Sequence, residues 1–205
     1  MTPKRLAFVI GTALLVAVWA GPLPALATRA FVAHMTMHVS VVALAAPLIA
    51  VGIVGTRYDP LRGVNLTLLP LLASVAELAV IWAWHAPVLH RLSRTETPWL
   101  VLEQALFLIV ALAVWLTALS TDRHARGAGA AALLMATMHM ALLGTLLATA
   151  PRALYAECAT ALWGLTLLQD QQWGGVLMLL AAGSSYLFGG LYLLAQLLHN
   201  QEKLA

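Results

Sequence analysis

Long apolar runs rich in Leu and Ala, with no two-residue alternation, occupy residues 6–27, 30–55, 64–86, 98–120, 128–149 and 172–198. Each approaches the ~20 residues a helix needs to cross a bilayer. Continuous runs of this kind read as helices, since barrel strands alternate. Polar stretches separate several of them: TRYDPLRGVN, HRLSRTETP and TDRHARGAG. The pattern predicts an all-α integral membrane protein, one transmembrane domain over residues 1–205, built as a bundle of about six helices. The connection from Pro151 to Gln171 is longer and half apolar, and is expected to fold back onto the membrane surface.

Composition agrees with that pattern. The chain is 62% hydrophobic and 9% charged, with a mean hydropathy of +0.89, which a hydrated surface does not tolerate. A net charge of +3 would interest nucleic acid only if the basic residues clustered. They are scattered between the runs, so they set topology and no nucleic-acid partner is expected. Lys4, Arg5, Arg57, Arg62, Arg123, Arg126 and Lys203 collect on one side, and Arg29, Arg91, Arg94 and Arg152 on the other. The first side is expected to be cytoplasmic, with both termini there. Lys4, Arg5 and the PALA stretch at 24–27 also fit a secretory signal, but the apolar run is long for one and an uncleaved first helix is expected. Six of the seven tryptophans then fall near the outer face, where interfacial anchoring is the ordinary reading. Cys158 is the sole cysteine, which excludes a disulfide or a paired-thiolate site within one chain.

Candidate chemistry enters with the ionisable residues inside the runs. HMTMH at 34–38 places His34 and His38 about 6 Å apart in rise and ~40° apart in arc, able to share one site. His85 ends the third run in WAWHAP, where Pro87 disfavours helix for the residue before it. Glu77 lies eight residues earlier, Glu103 follows Pro98, His139 sits in MATMHM, and Asp170 and Gln171 open the last run. All fall in the outer half, and ionisable groups in a bilayer normally face a bundle interior or a wet cavity. His90, His124 and His199 lie at the edges of the runs and are expected to be solvated.

Taken singly, each histidine fits a hydrogen-bonded core residue and each methionine a gap filler. Their coincidence in depth favours a metal. Imidazoles at i and i+4, with His85 and His139 as additional ligands and Met35, Met135 or Met138 as soft sulfur ligands, suit copper better than zinc. Glu77, Glu103, Asp170 and Gln171 would orient the imidazoles. Position 35 is Met, so the HExxH pattern of a zinc protease is missing and no enzyme motif is present. A b-type haem held between facing histidines is the alternative, and proton-coupled transport through buried Glu and His a second one.

These motifs, HMTMH with Pro47 beyond it, WAWHAP at 82–87, the Glu103 region, MHMALLG at 138–144 and DQQWGG at 170–175, run through most of the chain. The chain resembles the CtaG-type polytopic membrane family of cytochrome c oxidase assembly factors, named for caa3-type oxidases. It departs from the family's pattern in being short and in having Leu179 after Met178. The resemblance implies a non-enzymatic role in a bacterial plasma membrane, supplying or protecting copper during metal-centre formation. It carries over to His34, His38, His85, His139 and Asp170 as functional positions, with oxidase subunits or other copper chaperones as partners, and self-association is left open.

Overall fold

The computed structural model describes residues 1–64, 67–120, 125–155 and 162–202, all of them helical or in turns and connections, with no strand among them. Arg123, His124, Cys158 and Lys203 lie outside the described residues. Helix α1 (Pro3–Ala20) begins with Pro3 in its first turn and a Thr2 side chain accepting from the Arg5 N–H. A short α2 (Leu23–Ala27) follows, so the first apolar run is two helices and not one. Next comes a continuous helical segment, Phe31–Ile53, made of α3 (Phe31–Val39), a π-helical stretch (Ser40–Ala45) and α4 (Ala46–Ile53).

The π-helical stretch has a local cause. Pro47 has no N–H to return to the Ala43 carbonyl, and that carbonyl accepts a hydrogen bond from Ser185 Oγ at 2.7 Å. The neighbouring Val42 carbonyl accepts from Trp115 Nε1 at 3.2 Å and from the Tyr186 hydroxyl at 3.4 Å. A proline inside a spanning helix is tolerated when neighbouring helices satisfy the freed carbonyls in this way.

Helix α5 (Leu69–His85) and α6 (Pro87–Thr95) meet at a 71° bend. Ala86 there is extended, at φ −65° and ψ 134°, as the Pro87 ring requires. Helices α7 (Thr97–Ala118) and α8 (Arg126–Ala148) are unbroken. Helix α9 (Leu167–Leu177), started by a reciprocal Thr166–Gln169 capping box, runs through a second π-helical stretch (Met178–Ala182) into α10 (Gly183–Glu202). Among the described residues, five helical segments are long and apolar enough to cross a membrane, and the bent α5–α6 pair, taken as one span, makes a sixth.

The helices alternate in direction. The starts of α3, α7 and α9 and the end of α5 therefore share one end of the bundle, and the start of α1 lies at the other, where Lys4 Nζ donates to the Val54 carbonyl at 2.5 Å. Helix α1 packs along α4, α5 along α7 and α8, α3 on α9, and α8 on α9 and α10. Glycine permits a close backbone approach between α8 and α9: a Cβ on Gly175 would stand 2.5 Å from the Ala148 backbone nitrogen.

Three expectations change. The HRLSRTETP stretch is not a simple loop, because α6 tucks back and buries His90, Ser93 and Arg94. His90 is therefore not solvated, being 0% exposed. Trp84, one of the six tryptophans expected near the outer face, is a core residue, and so is Trp115, the seventh.

Candidate metal centre

Four histidines converge at the end of the bundle where α3 begins. His34 and His38 project from one face of α3, His85 comes from the last turn of α5, and His90 comes from α6 after the bend. Ring centroids stand 4.9 Å apart for His34 and His90, 5.4 Å for His38 and His85, 5.8 Å for His34 and His85, and 6.4 Å for His34 and His38. Phe107 closes the deep side, 4.4 Å from the His38 ring. Phe31 and Tyr155 stack on one another at 4.7 Å and cover the side next to His90, whose ring is 4.1 Å from Tyr155.

All but one of the ring nitrogens are left without partners. Both nitrogens of His34, His38 and His90, and Nε2 of His85, are buried with no hydrogen bond. Buried polar nitrogens without partners are costly, and four clustered imidazoles with lone pairs to offer could hold a metal. His85 is the one whose tautomer is fixed. Its Nδ1 lies 2.7 Å from the Ile81 carbonyl, which can only accept, so Nδ1 donates and Nε2 keeps its lone pair. The Tyr155 hydroxyl donates to the His85 carbonyl at 2.7 Å and ties the end of α5 in place.

Beside the histidines lies an ion pair. Arg94 Nη2 donates to Glu103 Oε2 at 2.5 Å, with both side chains buried. Glu103 Oε1 accepts from Ser93 Oγ at 2.9 Å, and Gln104 Nε2 donates to Oε2 at 3.4 Å. Arg94 Nη1 also donates to the Ala27 carbonyl at 3.1 Å, linking α2, α6 and α7. His34 Nδ1 is 3.8 Å from Glu103 Oε2. One ligand atom each from His34, His90 and Glu103 fall within 4.8 Å of one another.

A family model for the cytochrome c oxidase caa3 assembly factor, Caa3_CtaG, matches residues 2–200. The chain belongs to that family. No curated protein and no solved structure matches it.

In this family member the candidate residues divide into two groups. His34, His38 and His85 come together as expected, and Glu103 does stand beside His34. His139 instead faces Glu77 from α8, with Nε2 3.7 Å from Oε2, and the Tyr186 hydroxyl donates to the other Glu77 oxygen. Glu77 thus pairs with His139 and Tyr186.

Asp170 and Gln171 bond to backbone amides rather than to imidazole nitrogens. Asp170 Oδ2 accepts from the Phe31 N–H at 2.6 Å and Oδ1 from the Val32 N–H at 3.0 Å. It caps the first turn of α3, whose own N-cap residue, Ala30, offers no side-chain acceptor. Gln171 Oε1 accepts from the Leu154 N–H at 2.6 Å and fixes the segment that carries Tyr155.

The three candidate methionines stand differently. Met138 is 73% exposed, so its thioether points out of the bundle. Met35 is buried against α9, where a Cβ on Gly174 would meet its Cγ at 3.0 Å. Met135 is half-buried one turn before His139.

Sequence reasoning missed His90 and Arg94. Their signal was present in the spacing of His90, Ser93 and Arg94 at i, i+3 and i+4, which puts all three on one helical face. A polar face in a polar segment reads as solvated until the bend turns it inward.

Proposed function

We propose that this oxidase assembly factor binds copper through His34, His38, His85 and His90, and supplies or protects it during metal-centre formation. One observation carries the reading: seven imidazole nitrogens on four adjacent rings are buried without hydrogen bonds. Nitrogen ligands of this kind suit copper among the metals an oxidase needs. The protein's own part is to hold the rings. Asp170 fixes the start of α3, the Ile81 carbonyl fixes the His85 tautomer, and Phe107, Phe31 and Tyr155 keep lipid away. The role is one of binding and transfer, not catalysis, and the partners are oxidase subunits or other copper chaperones.

The histidine end faces outward from a bacterial plasma membrane in this reading, with the start of α1 inside. Arg94 is neutralised within the bundle, so it drops out of the topological balance. That leaves Arg29, Arg91 and Arg152 at the histidine end against Lys4, Arg5, Arg57, Arg62 and Arg126 at the other.

Haem b gains less support from the packing. Rings with centroids 4.9–6.4 Å apart, walled by Phe31 and Phe107, suit a small ion better than a macrocycle.

The test is the metal content and visible spectrum of the purified protein. About one copper per chain, lost when His34→Ala is combined with His38→Ala, is the expected result. A Soret band with stoichiometric haem would replace this reading with a cytochrome. In cells, a deletion strain should produce an oxidase short of copper; a fully metallated, active oxidase would remove the assembly role.

A further inference from the structure

We propose that Arg94 sets the metal selectivity of this site by withholding the Glu103 carboxylate from it, so that the four neutral imidazoles select a monovalent ion over divalent ones. The inference rests on reading these imidazoles as metal ligands, and goes beyond it in assigning a charge preference to one residue.

His34, His90 and Glu103 offer ligand atoms within 4.8 Å of one another. Two imidazoles and a carboxylate are a set that divalent zinc or iron takes readily. The carboxylate, however, is already engaged. Glu103 Oε2, the oxygen nearer His34, receives Arg94 Nη2 at 2.5 Å and Gln104 Nε2 at 3.4 Å, while Oε1 receives Ser93 Oγ at 2.9 Å. An ion that recruited Oε2 would have to displace a buried guanidinium that is also anchored to the Ala27 carbonyl at 3.1 Å. Left unpaired in this site, that cation would repel the incoming ion, and a doubly charged ion twice as strongly as a singly charged one.

With the pair intact, the nearest charges cancel and the ligands are neutral nitrogens. Such a set compensates one positive charge far more easily than two. Cu(I) is the monovalent ion that imidazole holds well. The second buried carboxylate, Glu77, faces His139 and accepts from the Tyr186 hydroxyl. Arg94 is thus a specificity-determining residue that acts through Glu103, and not a ligand itself.

The experiment uses the purified full-length protein as wild type, Arg94→Gln, Arg94→Lys and the double variant Arg94→Met with Glu103→Gln. Cu(I) affinity is read by competition with a coloured chelator, and Co(II) by its visible ligand-field bands. Arg94→Gln is expected to raise Co(II) affinity at least tenfold over wild type. Arg94→Lys, which keeps a cation on the carboxylate, should stay within threefold. The double variant, with charge and carboxylate both removed, should bind Cu(I) within threefold of wild type and show no Co(II) gain. Unchanged Co(II) affinity in a folded Arg94→Gln protein overturns the proposal. So does a tenfold loss of Cu(I) in the double variant, which stays decisive if the single variant does not fold. A wild type that takes no Cu(I), beside an Arg94→Gln variant that gains Co(II), sinks the copper reading and leaves the role of Arg94 standing.

Discussion

The carboxylate of Asp170 in α9 caps the backbone of Phe31 and Val32 in α3, across 139 and 138 residues of chain. The first turn of α3 carries His34, so this contact sets the angle at which the helix presents both of its imidazoles. Asp170→Ala should leave two amide donors without partners, one of them buried, at a cost of about 1–3 kcal/mol. The expected outcome is a lower unfolding temperature in detergent together with weaker copper binding. Retained copper affinity in the variant would show that α3 is held well enough without the cap.

His90 should matter as much as His34. Its ring lies 4.9 Å from His34 and is wholly buried, whereas Met138 is 73% exposed. His90→Ala is expected to weaken copper binding at least about tenfold, the lower end of what even outer partners of a metal contribute. Met138→Ala should leave binding unchanged. Copper titrations of the two variants side by side give the comparison, and equal affinities would discount His90 as a ligand.

The Tyr155 hydroxyl tethers the His85 carbonyl rather than its ring. Tyr155→Phe keeps the stacking on Phe31 and removes one buried hydrogen bond, so a stability loss of about 0.5–1.5 kcal/mol is expected with copper stoichiometry intact. Denaturation midpoint and metal content, measured on one preparation, check both halves.

The Glu77, His139 and Tyr186 group should prove separable from copper. Glu77→Ala removes the carboxylate facing His139 and the closer of the two acceptors of the Tyr186 hydroxyl, which predicts destabilisation of about 1–3 kcal/mol. Its copper content is expected to match wild type. A parallel loss of copper, in protein that remains folded, would make Glu77 part of the centre.

Helix contact is tested at Gly175, where a new Cβ would lie 2.5 Å from the Ala148 nitrogen and 2.7 Å from the Gly144 carbonyl oxygen. Backbone cannot yield as a side chain does. Gly175→Ala should cost about 1–3 kcal/mol by overpacking, measured as a fall in the yield and melting temperature of detergent-solubilised protein.

The spans could be read from the chain because a bilayer imposes one rule on every helix: apolar side chains outward and backbone satisfied within. The pairing of His34 with His38 was readable for a similar reason, since four residues on a helix fix both rise and arc. His85 was placed at the correct end by its neighbour Pro87. Such deductions need only local geometry. The partner of His139 was not readable, because depth along a helix says nothing about azimuth; it stands 3.7 Å from Glu77.

The sequence by itself determined a helical membrane bundle, the end at which its histidines gather and the α3 face that presents two of them, because helical period and hydropathy are properties of the chain. The tertiary structure decided the membership of the site. A 71° bend at Pro87 brings His90 and Arg94 inward, and Arg94 then engages Glu103. Asp170 and Gln171 go to backbone amides 17 to 139 residues away. Those choices are made by packing between helices, where desolvation leaves each buried polar group to find whichever partner lies within reach.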